Sequence, residues 1–252
     1  MSVTVYTRLD KYLAENGYAG SRERARGLIE SGKVMVNGQI ITTASFPMVD
    51  TFTLKLLVQD HPWVSRGGPK LDAALQAFKV NPGGRVAIDV GAATGGFTDV
   101  LLGRNAKHVY CVDTGTGQLH DKIRADARVT AWEQCDARTL EPDMFPEKYT
   151  LIVADVSFIS LTKARPRVMD MAPEGTDLIA VIMPQFELDG PEQIGKGGIV
   201  SDPALQKEAC LRVETWLRDE MKWTIKGFLP PPPDASDPAP DGNKEFIVHA
   251  VK

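Results

Sequence analysis

Aspartates stand near the ends of four segments that read as buried strands. They are Asp89 in VAIDV, Asp113 after VYCV, Asp136 in WEQCDAR and Asp155 after LIVA. The carboxyl ends of parallel strands meet at one edge of a sheet, so we expect these carboxylates to line one crevice. For any single aspartate, capping a helix or forming a turn is the commoner role.

A glycine-rich turn follows the first of these strands and leads into a helix, in VAIDVGAATGGFTDVLL. Such a turn presents free backbone N–H groups at a helix start and lets a ligand approach closely. The match to the dinucleotide fingerprint Gly-x-Gly-x-x-Gly is imperfect, because Ala93 stands at the second glycine position. We predict cofactor contacts from this turn, at Gly91, Ala93, Thr94, Gly95, Gly96 and Phe97.

The acids around the turn indicate which cofactor it binds. Carboxylates would repel the pyrophosphate of a nicotinamide dinucleotide, whereas S-adenosylmethionine carries a sulfonium and an ammonium group. In this interpretation Asp89 lines the crevice, Asp113 accepts hydrogen bonds from a ribose diol, and Asp136 accepts one from an adenine amino group. We therefore predict a methyl donor. A dinucleotide oxidoreductase remains the alternative, and tighter binding of NAD would favour it.

Alternating strands and helices position these residues. From Pro69 onward the pattern predicts a Rossmann-like α/β fold, with a mostly parallel sheet covered by helices on both faces. The final two strands, on either side of the loop LPPPPDASDPAPDGN, should pair antiparallel at the sheet edge. Residues 69–252 thus form one domain, and a linker at residues 61–68 joins it to a small α+β domain at residues 1–60.

The small N-terminal domain combines two helices with a hairpin that turns at Asn37-Gly38 in KVMVNGQII. Basic residues concentrate on its helices. From charge alone, a solvated surface interleaved with Glu23 and Glu30 is the simpler interpretation. The basic residues are Arg8, Lys11, Arg22, Arg24 and Arg26.

Composition limits the other possibilities. The chain has 252 residues and a net charge of −4, so any positive surface for nucleic acid must be local. Its 3 cysteines are far apart, which fits a reducing compartment and gives no zinc-ligand spacing. No apolar run approaches the roughly 20 residues of a bilayer span. We therefore expect a cytoplasmic protein without a metal site or a membrane partner.

Motifs along residues 8–247 resemble the TlyA family, in which an S4 RNA-binding domain precedes a methyltransferase domain of the FtsJ type. The S4-like part is RLDKYL…SRERARGLIESGKVMVNG, and the remainder includes WVSRGGPKL, IDVGAATGGFTDVLL, VYCVDTGTGQL, ADVSFISL, PQFE, GKGGIV and GNKEF. The resemblance implies S-adenosylmethionine-dependent 2′-O-methylation of cytidine in ribosomal RNA, free or within a subunit. It also implies RNA contacts at Arg66 and the five basic residues of the small domain. Members are often labelled haemolysins, yet no lytic segment is evident here.

The resemblance further implies a catalytic Lys-Asp-Lys-Glu set. It places the first lysine at Lys70, the aspartate at Asp155 and the glutamate at Glu245. The second lysine corresponds to Met183, which keeps the shape of the alkyl stem and supplies no charge. If that lysine acts as a base or stabilises charge, its absence should cost about 10²–10⁴ in rate.

Three explanations for Met183 remain open. The chain is an inactivated variant, or a natural homologue that binds RNA and cofactor with weakened catalysis, or another lysine substitutes from a loop. Lys163 and Lys196 are the possible substitutes.

Lys70 has a separate argument from helix chemistry. Pro69 predicts a helix that begins at this proline, so Lys70 would lie in its first turn. There the helix dipole and nearby Arg66 would lower the pKa of Lys70 and make it a proton acceptor. A surface lysine that binds phosphate is the alternative.

Overall fold

The computed structural model describes most of the chain in two compact units, Met1–Pro62 and Trp63–Lys252. Hydrophobic clusters fill the interior of each unit. The side chain of Arg24 is outside the description. The described residues are 7–16, 18–19, 21–49, 51–57, 61–164, 166–190, 194–195, 198–230 and 243–252.

The smaller unit packs two helices against short antiparallel strands. Leu9, Leu13, Ala25 and Ile29 are fully buried and recur at helical spacing, which gives each helix one apolar face. The three-stranded sheet has the order β3-β2-β5, and β1 pairs with β4. The elements are β1 Thr7–Arg8, α1 Leu9–Glu15, α2 Arg22–Glu30, β2 Val34–Val36, β3 Gln39–Ile41, β4 Pro47–Met48 and β5 Leu54–Leu56.

The larger unit is built on a seven-stranded sheet with the order β11-β12-β10-β9-β6-β7-β8. The strand pairs from β10 to β8 are parallel, whereas β12 is antiparallel to both β10 and β11. The predicted, mostly parallel sheet with an antiparallel last strand is confirmed. The strands are β6 Val86–Val90, β7 His108–Val112, β8 Val129–Trp132, β9 Leu151–Ala154, β10 Asp177–Ile182, β11 Thr224–Leu229 and β12 Phe246–Val251.

Helices cover both faces of this sheet. Ala87 and Ile88 are neighbours in β6 and belong to different core clusters, because successive side chains of a strand point to opposite faces. Both faces are therefore buried, as expected of a parallel sheet. The helices are α3 Gly67–Ala77, α4 Gly96–Gly103, α5 Asp121–Arg124, α6 Leu161–Ala164, α7 Arg167–Asp170, α8 Pro184–Glu187 and α9 Pro203–Thr215, which continues as a π-helical turn at Trp216–Glu220.

The start of the larger unit differs from the predicted linker at residues 61–68. Val64 N–H donates to Asp99 Oδ2 at 2.8 Å, and the Trp63 ring lies where a Cβ at Gly68 would have to be. From Trp63 onward the segment is thus part of the larger unit. Helix α3 begins at Gly67, so Pro69 occupies its third position instead of the predicted first.

Candidate active site

The carboxyl ends of neighbouring strands bring three of the predicted aspartates together. Asp89 is the penultimate residue of β6, and Asp113 and Asp155 directly follow β7 and β9. Strand β6 pairs in parallel with both β7 and β9, so all three residues lie at one edge of the sheet. The charges of Asp155 and Asp113 both contribute to raising the pKa of Asp89, as adjacent carboxylates do.

An ammonium group meets two carboxylates at the same edge. Lys70 on α3 forms an ion pair with Glu245, which immediately precedes β12, and its Nζ lies 3.7 Å from Asp155 Oδ2. The three side chains are largely buried, with 19%, 12% and 20% of their surfaces exposed, respectively. The resemblance predicted these residues as catalytic, and the structure places them in direct contact.

The pKa of Lys70 contradicts our expectation. Burial lowers this pKa, but the opposing attraction of Asp155 and Glu245 is stronger, so the net shift is upward. Arg66 does act in the predicted direction, and it is outweighed. Lys70 is therefore a stable ammonium, and its role as a resting proton acceptor is wrong.

The carboxyl of Asp155 has a higher pKa than that of an exposed aspartate. Burial raises its pKa, Lys70 lowers it, and the negative charge of Glu245 raises it, with a net upward shift. Asp155 Oδ1 is buried and has no hydrogen-bond partner among the described residues. A carboxylate with a raised pKa and an oxygen that no described residue engages is suited to take up a proton.

Met183 occupies the end of strand β10 beside this cluster. It directly precedes α8, whose first residue is Pro184. Ile182 pairs with Phe246 across the antiparallel strands, so the next residues in register are Met183 and Glu245. Met183 is partly buried and packs against a core cluster. A lysine at this position would stand beside Glu245, whereas methionine contributes only packing.

Asp89 is a buried acid with one free oxygen. Its Oδ2 accepts from Thr98 N–H at 3.0 Å and from Thr98 Oγ1 at 2.6 Å. Oδ1 is buried and has no hydrogen-bond partner in the described part of the chain. Burial is the main cause that raises the pKa of Asp89 to about 7.

The glycine turn is held by the protein's own groups. Asp113 Oδ2 accepts from Ala93 N–H at 2.8 Å, which fixes the middle of the turn. A Cβ at Gly91, where φ is +81°, would lie 2.5 Å from the Asp155 carbonyl oxygen. Gly95, at φ +90°, directly precedes α4. Glycine is thus required here for conformation and for close approach to Asp155, whatever ligand the turn binds.

Several residues predicted to bind the cofactor lie elsewhere or are already engaged. Phe97 is only 4% exposed and packs in the core beside Gly67, so we remove it from the candidate site. Asp136 caps the 3₁₀ turn Ala137–Thr139 and pairs with Arg138 at 2.5 Å. Thr94 is exposed on the turn.

The possible substitutes for the missing lysine receive little support. Lys163 lies on helix α6 and not on a loop, and its Nζ is 3.4 Å from Asp189 on an exposed surface. Lys196 lies outside the described residues.

One exposed aromatic residue beside the site was not among the predicted site residues. Phe158 follows Asp155 by three positions, is 90% exposed and has φ of +66°, a conformation that bulky residues rarely adopt. Its ring centroid lies 5.8 Å from that of Phe186 on α8. The buried carboxylate of Glu187 holds the same loop by accepting from Ser160 Oγ at 2.6 Å and Leu161 N–H at 2.8 Å. The only sequence feature that could have predicted a role for Phe158 is its place three residues after Asp155.

The basic residues predicted to bind RNA are exposed on the smaller unit wherever their side chains are described. Arg8 and Arg22 both contact the buried carboxylate of Asp10. Among the described side chains, Lys11 also pairs with Glu15 and Arg26 with Glu30, each one helical turn apart. Arg66 is exposed in the larger unit.

The described residues contain no feature typical of a membrane span or a metal site. There, no helix has both the length and the apolar character needed to cross a bilayer. Among the same residues, no group of three or more His, Cys, Asp or Glu side chains is arranged to hold a metal ion.

Known proteins share both units of this chain. Residues 63–252 match the FtsJ-like methyltransferase domain, and residues 7–48 match the S4 domain. The chain is 39% identical over 242 residues to a protein of Mycobacterium tuberculosis (strain ATCC 25618 / H37Rv) named 16S/23S rRNA (cytidine-2′-O)-methyltransferase TlyA, covering 96% of this chain and 88% of the relative. It is also 39% identical to Hemolysin A of Brachyspira hyodysenteriae, over 97% of this chain and 99% of that one.

A solved structure agrees with these matches. A candidate hemolysin from Streptococcus thermophilus superposes with a TM-score of 0.75 at 36% identity, covering 98% of this chain and 89% of that one. The fold and site thus define an FtsJ-like methyltransferase that carries an S4 domain. Within that class the chain belongs to the TlyA family, as its motifs indicated.

Proposed function

We propose that the protein methylates the 2′-hydroxyl of cytidine in ribosomal RNA, with S-adenosylmethionine as donor. The observation that carries this proposal is the contact of Lys70 with Asp155 and Glu245 at the sheet edge that also bears the glycine turn. The M. tuberculosis relative is named for this reaction on 16S and 23S rRNA. A ribosomal substrate would place the protein in the cytoplasm.

The donor set at this edge fits a cationic cofactor. Asp89 and Asp155 each have a buried oxygen without a partner in the described ranges, and both lie beside the turn that begins at Gly91. Crowded acids repel one another, and a positively charged ligand relieves that repulsion. S-adenosylmethionine supplies an electrophilic methyl group when bound. In the proposal the cofactor is held by Asp89, Asp113 and the backbone of residues 91–96. Asp136 lies at the edge of this site.

The acceptor side requires a group that takes a proton and a group that stabilises negative charge. Lys70 is an ammonium, so it donates a hydrogen bond to the ribose oxygen and stabilises the charge that develops there. Asp155 Oδ1 takes up the hydroxyl proton, because its raised pKa and vacant lone pairs suit that role. Glu245 holds Lys70 in place through their ion pair.

RNA binding in the proposal is shared between charge and stacking. Arginines of the smaller unit contact phosphates, which position an RNA without reading its sequence. Arg66 adds a charge in the larger unit, at the start of α3. The exposed ring of Phe158 offers a face on which an unstacked base can lie near Asp155.

Met183 supports a second candidate function, that of an RNA-binding homologue with impaired catalysis. It stands next to Glu245 in register, where the resemblance expects a lysine, and it supplies no charge. In this alternative the crevice still binds cofactor and the RNA contacts are kept, whereas methyl transfer is slow.

The decisive experiment is methyl transfer to transcribed 16S and 23S rRNA, and to ribosomal subunits, with tritiated S-adenosylmethionine. A 2′-O-methyl group blocks alkaline cleavage of the adjacent phosphodiester, so label should appear in alkali-resistant dinucleotides that begin with cytidine. Label released as a methylated base would contradict the proposal. RNA and cofactor binding without any transfer would favour the alternative.

A further inference from the structure

A buried carboxylate joins two arginines on the smaller unit. Asp10, in the first turn of α1, has a side chain only 4% exposed. Its oxygens accept from Arg8 Nε and Nη2, each at 3.0 Å, and from Arg22 Nε at 3.1 Å. Lys11 N–H donates to it as well, at 2.9 Å. Arg8 Nη2 and Arg22 Nε share one oxygen, Asp10 Oδ2, which fixes the two guanidinium groups side by side.

The cations in this cluster face solvent while the anion does not. The side chains of Arg8 and Arg22 are 51% and 56% exposed. A guanidinium has five N–H donors, and Asp10 engages only two nitrogens of Arg8 and one of Arg22. The hydrogen bond with Glu30 is the main cause that raises the pKa of Arg26, and the charges of Arg8 and Asp10 also act on it. The surface therefore presents excess positive charge held by an acid beneath it.

Such an arrangement favours binding of an anion. Two free arginine side chains repel each other and lose rotamer freedom when they close on a ligand. Asp10 offsets that repulsion and orders both side chains beforehand. The planar fork of arginine matches a phosphate in two-pronged geometry.

We propose that Asp10 is a positioning residue that holds Arg8 and Arg22 as a two-armed receptor for an RNA phosphodiester group. The inference rests on the proposed function, in which RNA is the substrate, and adds a role for an acidic residue within a basic surface. Simple electrostatics makes the opposite prediction for this residue, because an acid beside a polyanion should weaken binding.

Asp10→Asn distinguishes the two views by the sign of its effect. The variant removes a negative charge, so electrostatics alone predicts tighter binding of labelled, deproteinised 16S and 23S rRNA. Positioning predicts weaker binding, by about 10-fold in Kd at 0.1 M salt, and a shallower salt dependence by about one phosphate contact. Glu30→Gln is the matched control, because Glu30 pairs with Arg26 in an exposed contact at 2.7 Å and does not touch Asp10. Its affinity should stay unchanged or increase.

A second pair of variants covers the case in which Asp10→Asn fails to fold, as judged by its melting curve. Arg8→Lys and Arg22→Lys keep the charge and lose the fork, so each should weaken binding. The same change at an exposed arginine of the larger unit that pairs with Asp219, Arg218→Lys, should not. A folded Asp10→Asn that binds as tightly as the parent, or tighter, would overturn the inference. So would parental affinity in both Arg8→Lys and Arg22→Lys. Absence of rRNA binding by the parent itself would instead overturn the proposed function.

Discussion

Two clusters of charged side chains, one in each unit, have opposite excess charge. In the larger unit one ammonium, Lys70, meets two carboxylates, Asp155 and Glu245. In the smaller unit one carboxylate, Asp10, meets two guanidinium groups. The first cluster is largely buried and favours a cation or a proton, whereas the second exposes its cations and favours an anion. In our proposals, similar residue types thus serve a cofactor crevice in one unit and a nucleic-acid surface in the other.

The carboxyl pKa values of the two units show the same contrast. Hydrogen bonds from Arg8 are the main cause that lowers the pKa of Asp10 to about 2. The stability that Asp10 provides is complete above its unfolded pKa of about 4 and is lost as the pH falls toward 2. Asp89 behaves oppositely, since burial raises its pKa to about 7. The folded protein keeps a proton on Asp89 that the unfolded chain releases at about pH 4. This stabilisation is therefore lost as the pH rises through 7.

The variant with the largest expected effect removes Lys70, the single cation of the buried cluster. Lys70→Met keeps the alkyl stem and should lower the rate constant of methyl transfer by about 10³-fold, because the developing charge loses its partner. Cofactor affinity, measured by calorimetry, should change little. Lys163→Met is the control, since that lysine is exposed and, among the described residues, its ion pair is with Asp189 alone. Activity of Lys70→Met within about 10-fold of the parent would show that the cluster is structural.

Adding a cation to the same cluster sharpens the comparison from the other side. Met183→Lys would place an ammonium beside Glu245, and we expect the rate of methyl transfer to rise by about 10²-fold. Met183→Gln has similar length without charge, so it separates the effect of charge from that of shape. Equal rates for all three proteins would mean that Lys70 alone supplies the charge that the reaction needs.

The fold could be predicted because its signals are local. Alternating apolar strands and helices, the Asn37-Gly38 turn and the glycine turn each act over a few residues. The antiparallel last strand followed from the proline-rich connection, although residues 231–242 of that loop lie outside the described chain. Helix α3 was placed two residues late, because Gly67 and Gly68 give no helix signal and their positions depend on packing with Phe97 and Trp63.

The site was harder to predict because its properties depend on distant partners. The pKa of Lys70 was predicted in the wrong direction, since its local helix position argues for a lower value while Asp155 and Glu245 raise it from other strands. Phe97 and Phe158 are both aromatic residues next to motif positions. One is 4% exposed and the other 90%, a difference that only tertiary packing decides.

Removing the exposed ring of Phe158 tests whether RNA binds beside the buried cluster of Lys70, Asp155 and Glu245. Phe158→Ala should raise the KM for rRNA by about 10- to 30-fold, because stacking contributes roughly 1–3 kcal/mol per base. The affinity for cofactor should not change. Leu211→Ala removes another exposed apolar side chain, 54% exposed on α9, and should leave both constants unaltered. An unchanged KM in Phe158→Ala would place the target base elsewhere.

The smallest expected effect is a pH dependence of cofactor binding in the acid-rich crevice. RNA binding by the basic surface should show no such dependence. With the pKa of Asp89 at about 7, most of this carboxyl is protonated at pH 6 and ionised at pH 8. A cationic ligand prefers the ionised form, so calorimetry should find S-adenosylmethionine bound up to about 10-fold more weakly at pH 6 than at pH 8. Asp89→Asn cannot ionise and should show affinity that is lower at pH 8 and nearly constant with pH. The same slope in Asp89→Asn would assign the titration to another group, such as Asp155, whose carboxyl is also buried beside Gly91.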